Sequence, residues 1–189
     1  MHPDGSGLRK LADAGDVPPG LDWSPDSNEI VYSTENAECG CAGLAIVHVT
    51  GGAPVYLPSS HNDPCRSADE QFAPAWSPDG HTIAFISDSY QGLCDDVYYS
   101  LQTIAPDGTN ASVPAIPDHD LVDTPGDYAD FFTIGIPFPG SYYDFTPRVA
   151  WSPDSSWLIF SAARGIQIVH PDGTGWRRLT SGTDPDWTR

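Results

Sequence analysis

The apolar positions of this chain fall in short runs that recur behind the same polar punctuation. Glu29-Ile30-Val31-Tyr32-Ser33, Thr82-Ile83-Ala84-Phe85-Ile86-Ser87 and Trp157-Leu158-Ile159-Phe160-Ser161 each follow a Trp-Ser-Pro-Asp, at Trp23 to Asp26, Trp76 to Asp79 and Trp151 to Asp154. Short runs of this composition, bounded by turn residues, predict strands. Proline presets φ for a turn and the Asp side chain accepts hydrogen bonds from nearby backbone N–H groups. Each unit therefore reads as strand, Pro-Asp turn, strand, with Trp23, Asp26, Trp76, Asp79, Trp151 and Asp154 in structural roles. A second element repeats as well: His2-Pro3-Asp4-Gly5-Ser6-Gly7-Leu8-Arg9-Lys10-Leu11 matches His170-Pro171-Asp172-Gly173-Thr174-Gly175-Trp176-Arg177-Arg178-Leu179, and Ala105-Pro106-Asp107-Gly108-Thr109 is a partial copy.

The third unit is the cleanest, with strands predicted over 148–152, 157–162, 166–170 and 176–180. Four antiparallel strands in roughly 40 residues is the size of one β-propeller blade. A blade cannot bury its apolar faces alone, so blades stack face to face, and the Trp of each Trp-Ser-Pro-Asp is expected between them. The organisation expected is all-β, with four-stranded β-propeller-type blades: a half blade at 1–15, blades at 16–58, 70–116 and 148–182, an insertion at 117–147 and the start of another unit at 183–189.

The order Trp-Ser-Pro-Asp-(Gly/Ser), apolar strand, second apolar strand, (His/Ala)-Pro-Asp-Gly, Arg-Arg-Leu-Thr resembles the PD40 repeats of TolB-like propellers. The match is best over 148–187, good over 74–108 and weaker over 21–57, where Thr50-Gly51-Gly52 stands in for Pro-Asp-Gly. Similar repeats occur in the periplasmic protein TolB and in the propellers of prolyl-oligopeptidase-like peptidases. The resemblance implies the fold strongly and function weakly, because one propeller scaffold carries many unrelated sites.

At this spacing 189 residues supply about three and a half blades, whereas closed propellers have four or more. The expectation is an arc, incomplete as a single closed ring, that is a piece of a longer chain or closes against other chains. Its end faces would present apolar surface that favours association.

Charge narrows the partners. The net charge is −18, from 26 acidic against 8 basic residues. No basic stripe exists, so nucleic acid is excluded as a partner on this reading, and no apolar run approaches the roughly 20 residues of a membrane span. Met1-His2-Pro3-Asp4 leads directly into a repeat element, without the pattern of a signal peptide.

Cys39, Cys41, Cys65 and Cys94 all map to loops on one face of the predicted blades. Four loop cysteines suggest two disulfides and an extracytoplasmic, oxidising compartment. A one-residue separation makes a Cys39–Cys41 ring strained, which favours bridges from both to Cys65 and Cys94. Free thiols or a metal site are the alternatives, although Cys39-Gly40-Cys41 lacks the spacing of common zinc sites.

The insertion reaches the same face and is rich in aromatics: Tyr128, Phe131, Phe132, Tyr142, Tyr143 and Phe145. These form either a satellite core or a rigid recognition patch for a protein or a carbohydrate. Asp118, Asp120 and Asp123 supply the hard oxygen ligands that calcium takes, although the EF-hand pattern is absent and a solvated acidic loop is the plainer reading. Asn110-Ala111-Ser112 fits the N-glycosylation pattern.

Catalysis has no foothold: there is no Gly-x-Ser-x-Gly elbow and no His-Glu-x-x-His. The expectation is a non-catalytic binding or structural module that mediates protein–protein interaction or self-assembly, without a cofactor. The alternatives are the propeller portion of a prolyl-oligopeptidase-like hydrolase and a carbohydrate-binding propeller.

Overall fold

In a computed structural model the chain builds three antiparallel sheets stacked in chain order. The structure describes residues 4, 6–15, 20–36, 41–58, 71–91, 96–112, 148–162, 165–182 and 185–187, of which 36, 41, 88–91, 96–99 and 162 by backbone alone. The first blade runs β1 (Leu21–Trp23), β2 (Glu29–Asn36), β3 (Cys41–His48), β4 (Val55–Tyr56). The second has β5 (Gln71–Trp76), β6 (Ile83–Gln91) and β7 (Asp96–Ile104); the third has β8 (Val149–Trp151), β9 (Leu158–Ala162), β10 (Gly165–Val169) and β11 (Arg177–Thr180). Within each blade, consecutive strands pair with one another. In the second blade an isolated antiparallel bridge joins Thr103 to Ser112. Every regular element among the described residues is a strand. In the third unit the strands fall within a residue or so of the expected ranges.

The same register recurs in all three units: Trp23 lies opposite Ile30, Trp76 opposite Ile83 and Trp151 opposite Leu158. The Trp-Ser-Pro-Asp turn fixes it. The hydroxyls of Ser24, Ser77 and Ser152 each donate to the Asp two residues on, at 2.6 Å. Each also accepts the N–H five residues on, from Glu29, Thr82 and Trp157, at 2.9 Å. The Asp carboxylate in turn accepts the N–H of Asn28, His81 or Ser156 at 3.0 to 3.1 Å. The residue after Asp is left-handed, at φ 60 for Ser27, 80 for Gly80 and 59 for Ser155, a conformation that only glycine adopts without cost.

Alternation along the strands then decides what touches what. On β6, Ile83 and Phe85 face the first blade, against Val31, Leu44, Ile46 and Leu57. Ala84 and Ile86 face the third, against Trp151, Leu158, Phe160 and Val169. The strand is buried on both sides and therefore reads as a continuous apolar run. Phe85 and Phe160 are fully buried, each worth roughly 1.5–3 kcal/mol relative to exposure.

Candidate interaction surface

The three repeated tryptophans have the same local sequence and different surroundings. Trp76 is 6% exposed and packs in the seam between the first and second blades. Trp151 is 8% exposed, packs in the next seam, and its indole N–H donates to the carbonyl of Ala75 at 3.0 Å. Each indole thus covers the blade that precedes its own. Trp23 has no such blade against it among the described residues and is 51% exposed, with Leu21 beside it also exposed. The expectation that every repeated Trp lies buried between blades is therefore corrected for Trp23. Burial depends on a neighbouring blade, which the tetrapeptide does not supply.

Asp22 ties this end to the next seam. Its carboxylate accepts the N–H of Trp23 at 2.9 Å and that of Trp76, across the blade boundary, at 2.7 Å. Burial nevertheless pushes its carboxyl above the usual range, against the pull of those two N–H groups.

The outer part of the same end is covered from within the chain. Leu11 and Ala12 pack against Tyr32, Ala45 and Val47, together with Ile30. Four hydrogen bonds seat the stretch: the Arg9 guanidinium donates to the carbonyls of Thr50 and Val49, Glu35 N–H donates to the Ala14 carbonyl at 2.8 Å, and the Thr34 hydroxyl donates to the Asp13 carbonyl at 3.2 Å. Leu11 stands to the first blade as Leu57 stands to the second, since Tyr32 and Val47 are the counterparts of Phe85 and Ile104. At the far end of the arc, Leu179, the third member of this Leu series, is 48% exposed.

The repeated Asp residues serve turns. Hydrogen bonds from Ser24 and from Asn28 hold Asp26 below the usual carboxylate range; Ser77 does the same for Asp79, Thr109 for Asp107 and Thr174 for Asp172. Asp154, bonded by Ser152 and Ser156, is lowered to about 2. His170 is occupied too: its ring lies 3.5 Å from that of Trp157, and its Nδ1 is 2.7 Å from the Ser156 carbonyl oxygen.

Tyr128, Phe131, Phe132, Tyr142, Tyr143, Phe145, Asp118, Asp120, Asp123, Cys39, Cys65 and Cys94 lie outside the described residues, and Cys41 contributes only its backbone, to β3. Among the described residues no three His, Cys, Asp or Glu side chains are grouped to hold a metal ion. Nor is any helix there long and apolar enough to cross a membrane. Sequence reasoning missed Leu11, Leu21 and Asp22. The signal for Leu11 was its place in the series Leu11, Leu57, Leu179.

No protein-family model matches the chain, and no curated protein matches it. Solved structures do. A putative TolB from Agrobacterium tumefaciens superposes with a TM-score of 0.55 at 18% identity, over 90% of this chain and 50% of that one. A prolyl endopeptidase superposes with a TM-score of 0.51 at 16% identity, over 95% of this chain and 25% of that one. The chain thus spans half the length of the TolB-like protein and a quarter of the endopeptidase, and the likeness at this identity is one of fold: the blades of a TolB-like propeller.

Proposed function

We propose that the chain is a non-catalytic binding or structural module that associates with protein, a second copy of itself included, through the end faces of its blades. The observation that carries this reading is Trp23: an indole that its counterparts bury beneath a neighbouring blade stands half open, flanked by exposed Leu21. Covering it with another apolar blade face gains roughly 25 cal/mol per Å², set against the rigid-body cost of association. Sedimentation of the wild type beside Trp23→Glu tests the reading; association should weaken in the variant, and equal association in both proteins would contradict it.

An extracytoplasmic location belongs to the same proposal. It is supported by the TolB-like repeat resemblance and by four cysteines in a strongly acidic chain. The mass of unreduced protein should show all four oxidised, and four free thiols would remove the argument for that compartment.

A further inference from the structure

Resting on the self-association reading above, we infer that residues 8–14 are a built-in competitor for the first blade's end face, standing where β11 of a second copy of this chain docks. The two segments match residue by residue: Asp4-Gly5-Ser6-Gly7-Leu8-Arg9-Lys10-Leu11 against Asp172-Gly173-Thr174-Gly175-Trp176-Arg177-Arg178-Leu179. They also fold alike at their start. The carboxylate of Asp4 accepts the N–H of Ser6 at 2.9 Å, as Asp172 accepts that of Thr174 at 2.9 Å.

Inside the molecule the place of this Leu is fixed by Leu57, which leaves its own blade to pack on Ile83, Phe85 and Ile104 of the next. Leu11 occupies the corresponding place on Ile30, Tyr32 and Val47. Unlike Leu57, it follows no strand among the described residues. Leu8, the counterpart of Trp176, is 77% exposed, whereas Trp176 is tied to its own blade by a hydrogen bond to Gln167 at 2.8 Å. Residues 8–14 thus stand in the place of an outer strand, with no inner strands beside them among the described residues. They cover Tyr32 and Val47 and leave Trp23 and Leu21 open.

The third blade carries what the site lacks: three inner strands, with exposed Leu179 on the fourth. Docked end to end, β11 of a second copy would place Leu179 on Tyr32 and Val47. Arg177 would then reach the Val49 and Thr50 carbonyls that Arg9 now holds, and the blade body would cover Trp23. β11 and residues 8–14 cannot share that place, so residues 8–14 must leave for the copy to seat. A face open in only a fraction of molecules binds with an affinity reduced by that fraction.

The test uses the 189-residue chain with Leu11→Asp, Leu179→Asp and both substitutions, with molar mass followed by light scattering against concentration. Leu11→Asp should tighten association by about tenfold, because it releases the competing segment. Leu179→Asp, at a side chain already exposed and so harmless to the fold, should weaken association, and the double variant should remain monomeric. Unchanged or weaker association in Leu11→Asp, or unchanged association in Leu179→Asp, would overturn the inference. If Trp23→Glu alone alters association, the end face stands and the competition does not; if the wild type and Leu11→Asp are both monomeric throughout, both readings fall.

Discussion

Ser152 shows how much of the fold a single residue settles. Its buried hydroxyl closes the turn by donating to Asp154 and accepting the Trp157 N–H, so Ser152→Ala leaves a buried donor without its partner, at a cost of about 1–3 kcal/mol. Asp154 adds a pH dependence with a definite sign. Its folded pKa, about 2, lies below the ordinary 3.8, so its contribution is complete above that value and is lost as pH falls toward 2. Asp26, Asp79, Asp107 and Asp172 are lowered in the same direction. Asp22 is raised by burial, so it works the other way: its ionised form weakens the fold at neutral pH, and protonation relieves this as pH drops through the raised value. Thermal melts should therefore show stability falling between about pH 4 and pH 2, with a shallower fall in Asp154→Asn. An identical acid profile in that variant would refute the assignment.

At the scale of elements, the blade was legible because its parts are local. A Trp-Ser-Pro-Asp turn joined to an apolar run dictates the same register opposite Trp23, Trp76 and Trp151, and the four strands of the third unit follow from their turns. What was not legible is set by neighbours. Nothing within Trp23-Ser24-Pro25-Asp26 distinguishes it from Trp76-Ser77-Pro78-Asp79, yet only the latter meets a preceding blade among the described residues. Leu11 was obscured for another reason: its counterpart Leu57 follows Thr50-Gly51-Gly52 in place of Pro-Asp-Gly, which hides the alignment. The contrast is measurable by chemical denaturation at low protein concentration. Trp76→Ala and Trp151→Ala should each cost about 3–5 kcal/mol, whereas Trp23→Ala should stay within about 0.5 kcal/mol, as for a surface site. Equal losses at all three positions would place Trp23 in a buried core after all.

Among the described residues the stack of blades has two unlike end faces: one opens Trp23 and Leu21 and is partly covered by residues 8–14, the other presents Leu179. Unlike ends make a head-to-tail contact, which yields rings when the rotation closes and filaments when it does not. A net charge of −18 opposes any such contact between copies, and salt screens that repulsion within about 10 Å at 0.1 M. Sedimentation equilibrium of the wild type and Trp23→Glu, over about 1 to 100 μM and at low and moderate salt, tests the end face most directly. The wild type should rise above the monomer mass of 20.3 kDa with concentration, more steeply at the higher salt, while Trp23→Glu stays near 20.3 kDa. A wild type and a Leu11→Asp variant that both remain at 20.3 kDa at every concentration and salt would contradict the account.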